Sequence, residues 1–416
     1  MKNEIHRLKN GVRIIVDPMP SLETVAIGVW ANAGSVDERN TEHGIAHLLE
    51  HMAFKGTTRR TARDIVEEIE SVGGYLNAAT SHQRTGYFAR VLKGDVPLAL
   101  DILGDILRDP LFGDDELSKE KEVVVQEIGE AADTPDDVVF EMLQAVSWGD
   151  HTLARPILGT KESVRAQTPV SLRGFMDRQY RADALVVAIA GNVDSDKTIR
   201  LIEEQFGGFL SSEAAPTRTT PSFIGGKRHD ARDIEQTHFA LAFPGVASGH
   251  EEFFATRVFA DALGGGMSSR LFQTIREERG LAYSVYAFSD GYEDCGLVGT
   301  YVGAEEDQIV EAASLIKMEM ESMARDTSQT EIDRARALLR SSLMMSLESP
   351  AARIESAAGQ LFTFGEILTP QEIVARLDAV TIDDVKRCAA RALEGKLSVA
   401  IVGAGSVDSV ETVFNG

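Results

Sequence analysis

The sequence predicts an α+β fold made twice: two homologous domains from a tandem duplication, each a mainly antiparallel sheet with helices on one face. Three observations carry this. Strand-like segments recur at a near-constant offset. Residues 24–30 (TVAIGVW) and 237–243 (THFALAF) lie 213 apart, and 185–191 (LVVAIAG) and 397–403 (LSVAIVG) lie 212 apart. Each half then repeats one order of elements, which is neither strict βαβ alternation nor all helix. Between the halves lies 211–221 (SSEAAPTRTTP), small, polar and Pro-bearing, as a linker should be. The expected domains are therefore 1–210 and 222–416.

The elements follow in order. Strands are expected near 11–17 and 24–32, where branched and aromatic residues cluster. Helices are expected near 43–54 and 61–72, the second stopped by Gly73 and Gly74. Strands near 75–80 and 85–92 form a hairpin. Helices fill 95–108 and 114–142, with more between 160 and 180, before the strand at 185–191. The second half repeats this plan.

Charge and composition narrow the function classes. The chain has 416 residues, with 42 Lys and Arg against 65 Asp and Glu, a net charge of −23. Nucleic acid and anionic membranes recruit basic patches, so neither is expected as a partner. The two cysteines, Cys295 and Cys388, make no disulfide framework and no paired thiolate zinc site. No apolar leader and no run of about 20 apolar residues is visible, which points to a cytoplasmic protein.

The sharpest chemical signal is HLLEH at 47–51. On a helix, residues four apart share a face, so His47 and His51 present two imidazoles to one ion. Glu50 lies near that face and is placed to hold and deprotonate water bound to the ion. Ile45, Leu48, Leu49 and Met52 mark the helix as partly buried, where unpaired His and Glu are costly. A third ligand must come from elsewhere. Val123, Val124, Val125 and Ile128 give 114–142 a buried face, and Glu127 sits within that run. Glu127 is therefore the expected ligand. Glu120, two turns earlier on the same face, is expected to orient a histidine.

The stretch 43–57 (HGIAHLLEHMAFKGT) closely resembles the pitrilysin/insulinase family of metallopeptidases, with mitochondrial processing peptidase and its bacterial relatives as the nearest branch. The resemblance extends to the 76-residue spacing from His51 to Glu127, to 74–80 (GYLNAAT), to 264–272 (GGGMSSRLF) and to 276–283 (REERGLAY). It implies a two-lobed clamshell with one zinc per chain, and a substrate bound as an added strand at a sheet edge near 75–80. It implies that Asn77 lies beside the catalytic water and substrate. Arg276 and Tyr283 would reach a substrate carbonyl or its oxyanion. Phe54 is taken as a substrate contact, and Asp137 and Glu141 as an acidic pair for a substrate arginine. His43 is read as a helix cap, not a ligand.

The expected function is a zinc-dependent endopeptidase acting on peptides or unfolded segments held extended in an internal cleft, with basic peptides favoured. The rival readings are a non-catalytic structural or partner subunit of the same fold and a peptide-binding chaperone. A homodimer is expected, with a heterodimer with a related chain as the alternative.

Overall fold

The computed structural model describes residues 5–211 and 217–415. Residues 212–216 of the linker, and the first four residues of the chain start on which the leader reading rests, lie outside them. The first half runs β1 (Ile5–Arg7), β2 (Arg13–Pro18), β3 (Thr24–Ala31), α1 (Ile45–Ala53), α2 (Ala62–Ser71), β4 (Tyr75–Thr80), β5 (Thr85–Leu92), α3 (Val96–Arg108), α4 (Asp114–Ala132), α5 (Pro135–Trp148), α6 (Lys161–Ala166), α7 (Pro169–Gln179), β6 (Leu185–Gly191) and α8 (Ser195–Phe206). The second runs β7 (Gly226–Asp230), β8 (Thr237–Pro244), α9 (Phe253–Gly264), a π-helical turn Phe272–Glu278, β9 (Ala282–Gly291), β10 (Gly296–Ala304), α10 (Ile309–Arg325), α11 (Gln329–Ser346), α12 (Pro350–Phe364), α13 (Pro370–Asp378), α14 (Ile382–Glu394), β11 (Ser398–Val402) and α15 (Val407–Asn415).

The duplication is explicit in the sheets. The first has strand order β1-β2-β6-β3-β5-β4 and the second β7-β11-β8-β10-β9. In each, one parallel pair (β2 with β6, β7 with β11) is followed by three antiparallel pairs. Both sheets are thus mainly antiparallel, as expected, and the first adds one short strand.

The strands are apolar because both of their faces are covered. Along β3, Val25, Ile27 and Val29 join the main core with Val187 and Ile189 of β6 and the buried residues of α1 and α3. Each such side chain contributes about 1.5–3 kcal/mol by leaving water. The alternate residues Ala26, Val186, Ala188 and Ala190 face the other way, against Ile354, Ala357, Ala358 and Leu361 of α12. Two-sided burial gives a continuous apolar run instead of strict alternation. The helical layer lies mainly on one face, and a single helix covers part of the other.

That helix comes from the opposite half of the chain. Contacts divide the protein into two compact units. One comprises residues up to Gly129, Arg155–Arg218 and Met345–Leu368. The other comprises Glu130–Ala154, Thr219–Met344 and residues from Thr369 onward. The single boundary read at 211–221 does not describe this arrangement, because α5 packs on β7, β8 and β11 of the second sheet, and α12 on β2, β3 and β6 of the first.

A second difference lies between 114 and 142, read as one helix. α4 ends at Ala132 and α5 starts at Pro135. Proline lacks the N–H that a helix interior needs and disfavours helical geometry in the residue before it. Thr134 is accordingly extended, with φ −106° and ψ 98°. Val123, read as part of the α4 buried face, is 39% exposed. The buried residues are Leu117, Glu120, Val124 and Val125; the first three follow the three- and four-residue helical spacing, and Val123, one position round from Val124, lies at the outer edge of that stripe.

Candidate metal centre

The site is built on α1, whose start is unusually fixed. Gly44, the residue before the helix, has φ 84°, a left-handed conformation that L side chains rarely adopt. A Cβ there would meet the Leu158 carbonyl oxygen at 2.7 Å. The buried Glu38 carboxylate accepts from the backbone N–H of Gly44 (3.0 Å) and Ala46 (2.9 Å), occupying two of the helix's orphan donors. Burial pushes the Glu38 carboxyl up to about 8.

From that start, Ile45, Leu48, Leu49 and Met52 pack inward, leaving His47, Glu50 and His51 directed to α4 and β4. The ring centroids of His47 and His51 are 4.6 Å apart. Glu127 Oε2 lies 3.5 Å from His51 Nε2 and 3.8 Å from His47 Nε2. Donor atoms of the three residues all lie within 4.8 Å of one another, the sole such group of three or more His, Cys, Asp or Glu among the described residues. A tetrahedral zinc with bonds of about 2.0–2.1 Å sets its donors about 3.4 Å apart, so the set fits the ion. Burial and the nearby His51 push His47 down to about 4, which leaves its imidazole neutral, the form that binds metals.

Each flanking group has a defined partner. Glu120 Oε2 lies 3.2 Å from His51 Nδ1, which turns Nε2 toward Glu127. The other Glu120 oxygen pairs with Lys55 Nζ at 2.7 Å. His47 Nδ1, by contrast, is buried with no hydrogen-bond partner. Glu50 Oε2 accepts a hydrogen bond from Thr80 Oγ1 at 2.5 Å. Burial raises the Glu50 carboxyl above its usual range, while the Thr80 hydroxyl pulls it down. Replacing Glu120 with Gln is expected to weaken metal affinity about 10–100-fold, read by competition with a chromogenic chelator. An unchanged affinity would remove Glu120 from the metal site.

The remaining residues of interest fall elsewhere. Phe54, just past α1, packs against the main core with its ring 6.1 Å from Tyr87. Asn77 does not meet Glu50. Along β4, Leu76 and Ala78 face the main core. Thr80 shares their side, and strand alternation turns Asn77 to the opposite face. There its amide donates to Tyr75 Oη at 2.6 Å. His43 Nε2 bonds the Pro156 carbonyl oxygen at 3.0 Å, in keeping with a structural role. Arg276, Tyr283, Asp137 and Glu141 belong to the second unit. There the Arg276 guanidinium stacks over Tyr283 at 4.5 Å and Phe272 at 4.7 Å, and Tyr283 is 76% exposed. Asp137 is exposed, and Glu141 is half-buried and raised by burial and the Asp137 charge. Thr80, Lys55 and Glu38 escaped the sequence reading. Only Thr80 left a signal, since alternation from Leu76 and Ala78 places it on the inner face.

Among the described residues the second unit has no counterpart of this site. Adding the 213-residue offset between β3 and β8, His47, Glu50 and His51 map to Ala260, Leu263 and Gly264 of α9.

Comparisons with known proteins agree with this asymmetry. Residues 13–161 match the family described as insulinase (peptidase family M16), and residues 168–339 match the peptidase M16 inactive domain. A Bacillus subtilis (strain 168) protein named uncharacterized zinc protease YmxG is 38% identical over 395 residues, 95% of this chain and 96% of its own. An uncharacterized zinc protease of Rickettsia felis is 37% identical over 400 residues, 96% of this chain and 97% of its own. Two solved structures share the fold. A protease from Helicobacter pylori has a TM-score of 0.90 at 20% identity, covering 97% of this chain and 99% of that one. The peptidase M16 inactive domain from Pseudomonas fluorescens has a TM-score of 0.89 at 19% identity, covering 98% of each chain.

Proposed function

The chain belongs to the insulinase (M16) peptidase family, and from that premise we propose that it is a zinc-dependent endopeptidase. The observation that carries the reading is the convergence of His47, His51 and Glu127 beside a carboxylate, Glu50, that is not one of the three donors. His47, His51 and Glu127 would hold one zinc per chain, with Glu120 orienting His51. Held there, zinc would supply a Lewis acid that lowers the pKa of a water to about 7 and polarises the scissile carbonyl. Glu50, steadied by Thr80, takes the proton of the attacking water and returns it to the leaving amine.

The substrate is an extended peptide or unfolded segment. Among the described residues β4 ends the first sheet, so its outer N–H and C=O groups can pair with an added strand. Backbone pairing recruits flexible chains with little sequence demand. Arg276 and Tyr283 keep the role of donors to a substrate carbonyl or its oxyanion. Asp137 and Glu141 keep that of a site for a basic residue. No helix among the described residues is long and apolar enough to cross a membrane. The proposal extends to a homodimer, tested by its mass in solution, and to a cytoplasmic location, tested by cell fractionation.

The deciding experiment is mass spectrometry of flexible peptides incubated with the purified, zinc-loaded protein, with and without chelator. New internal termini that vanish with chelator and return with added zinc are expected. Intact peptides in every condition would favour the non-catalytic subunit or chaperone readings.

A further inference from the structure

The face of the first sheet that carries Asn77 holds a cavity of about 560 Å³ between β3, β4, β5 and α12, within the range of about 300–1,000 Å³ usual for ligand pockets. Its floor is apolar, from Ala26, Trp30 and Phe88 on the sheet and Ala351 and Ile354 on α12. Asn77 and Ala79 of the edge strand open onto it. Its charged residues are two arginines, Arg84 and Arg90, and one carboxylate, Glu355. Both guanidiniums are held by rings, Arg84 over Phe362 at 4.9 Å and Arg90 over Tyr75 at 4.6 Å. Arg84 also donates to Thr363 Oγ1 at 3.1 Å.

A peptide added to the outer edge of β4 lies about 4.8 Å away and turns successive side chains to opposite faces of the sheet. One set is directed to the Thr80 and Glu50 side, the other to the cavity side. The geometry points to this cavity as a specificity pocket: it takes a large apolar or aromatic substrate side chain on the Asn77 face and rejects Lys and Arg. Apolar walls favour the former. A further cation entering beside Arg84 and Arg90 loses its water and meets like charge. The inference rests on the peptidase reading and deepens it. The acidic pair on α5 would act at a different position of the substrate, so the two preferences do not conflict.

The test uses the intact zinc-loaded protein and a flexible peptide in which each position in turn is Phe, Ala, Glu or Lys. Cleavage should favour Phe over Lys by about 10-fold or more, at one position or at two positions separated by a single residue. Glu should be cut faster than Lys there. Ala351→Trp, which fills the cavity from α12, should bring the Phe/Lys ratio toward unity. Arg90→Glu should raise the Lys rate relative to Phe. Ratios within one preparation do not depend on how much of it is folded. Equal cutting of Phe and Lys peptides at every position, or ratios untouched by both variants, overturns the pocket while leaving the peptidase reading intact. No chelator-sensitive cleavage of any peptide overturns that reading and the pocket with it.

Discussion

Replacing Glu50 with Gln should lower kcat/KM for peptide cleavage by about 10³-fold while zinc content and fold stay as in the wild type. Glutamine has the same shape and keeps an oxygen that can accept the Thr80 hydroxyl, now at 2.5 Å from Glu50. Glu50 lies outside the group proposed to hold the metal, His47, His51 and Glu127. What the variant loses is the capacity to take a proton. Metal analysis beside steady-state kinetics separates these roles. Activity within about tenfold of wild type would show that some other group takes the proton. A parallel loss of zinc would place Glu50 among the ligands.

Removing a ligand should have the larger effect. His51→Ala deletes one of three donors and leaves Glu120 with Lys55 as its remaining partner. Dialysed wild type should retain about one zinc per chain and the variant none, with cleavage lost. The loss should exceed the effect of Glu120→Gln, which leaves all three donors in place. Thermal unfolding provides an independent readout. A ligand that binds only the folded state stabilises by RT ln(1 + [L]/Kd), about 2.7 kcal/mol at one hundred times Kd. Added zinc should therefore raise the midpoint of the metal-free wild type and leave His51→Ala unmoved. An equal rise in both would mean that the stabilising ion sits elsewhere.

Much of this site is legible in one dimension because helical spacing is short-range. His47, Glu50 and His51 lie within a single turn, and Glu120 and Glu127 are two turns apart on one face. Strand signals were clear for the same reason, since β3 and β6 are nearly all apolar. The break before Pro135 is equally local, but the acidic residues Asp133, Asp136 and Asp137 run across it and mask it. Thr80 required knowing which face of β4 meets α1, and the position of Asn77 required the same knowledge. Lys55 has no pattern at all: it reaches Glu120 only because α1 and α4 pack. Least legible was the placement of α5 and α12. An amphipathic stripe shows that a helix is covered on one side, and says nothing of which sheet covers it.

That exchange bears on the order of events during synthesis. The strands of the first sheet are complete once β6 has left the ribosome, and residues Ala26, Val186, Ala188 and Ala190 then wait for α12, about 160 residues later in the chain. At ordinary rates of translation that interval is about 10–30 s. Through it the nascent sheet presents an apolar surface with its final partner not yet made, so this stage is where chaperone capture and misassembly between neighbouring nascent chains would concentrate.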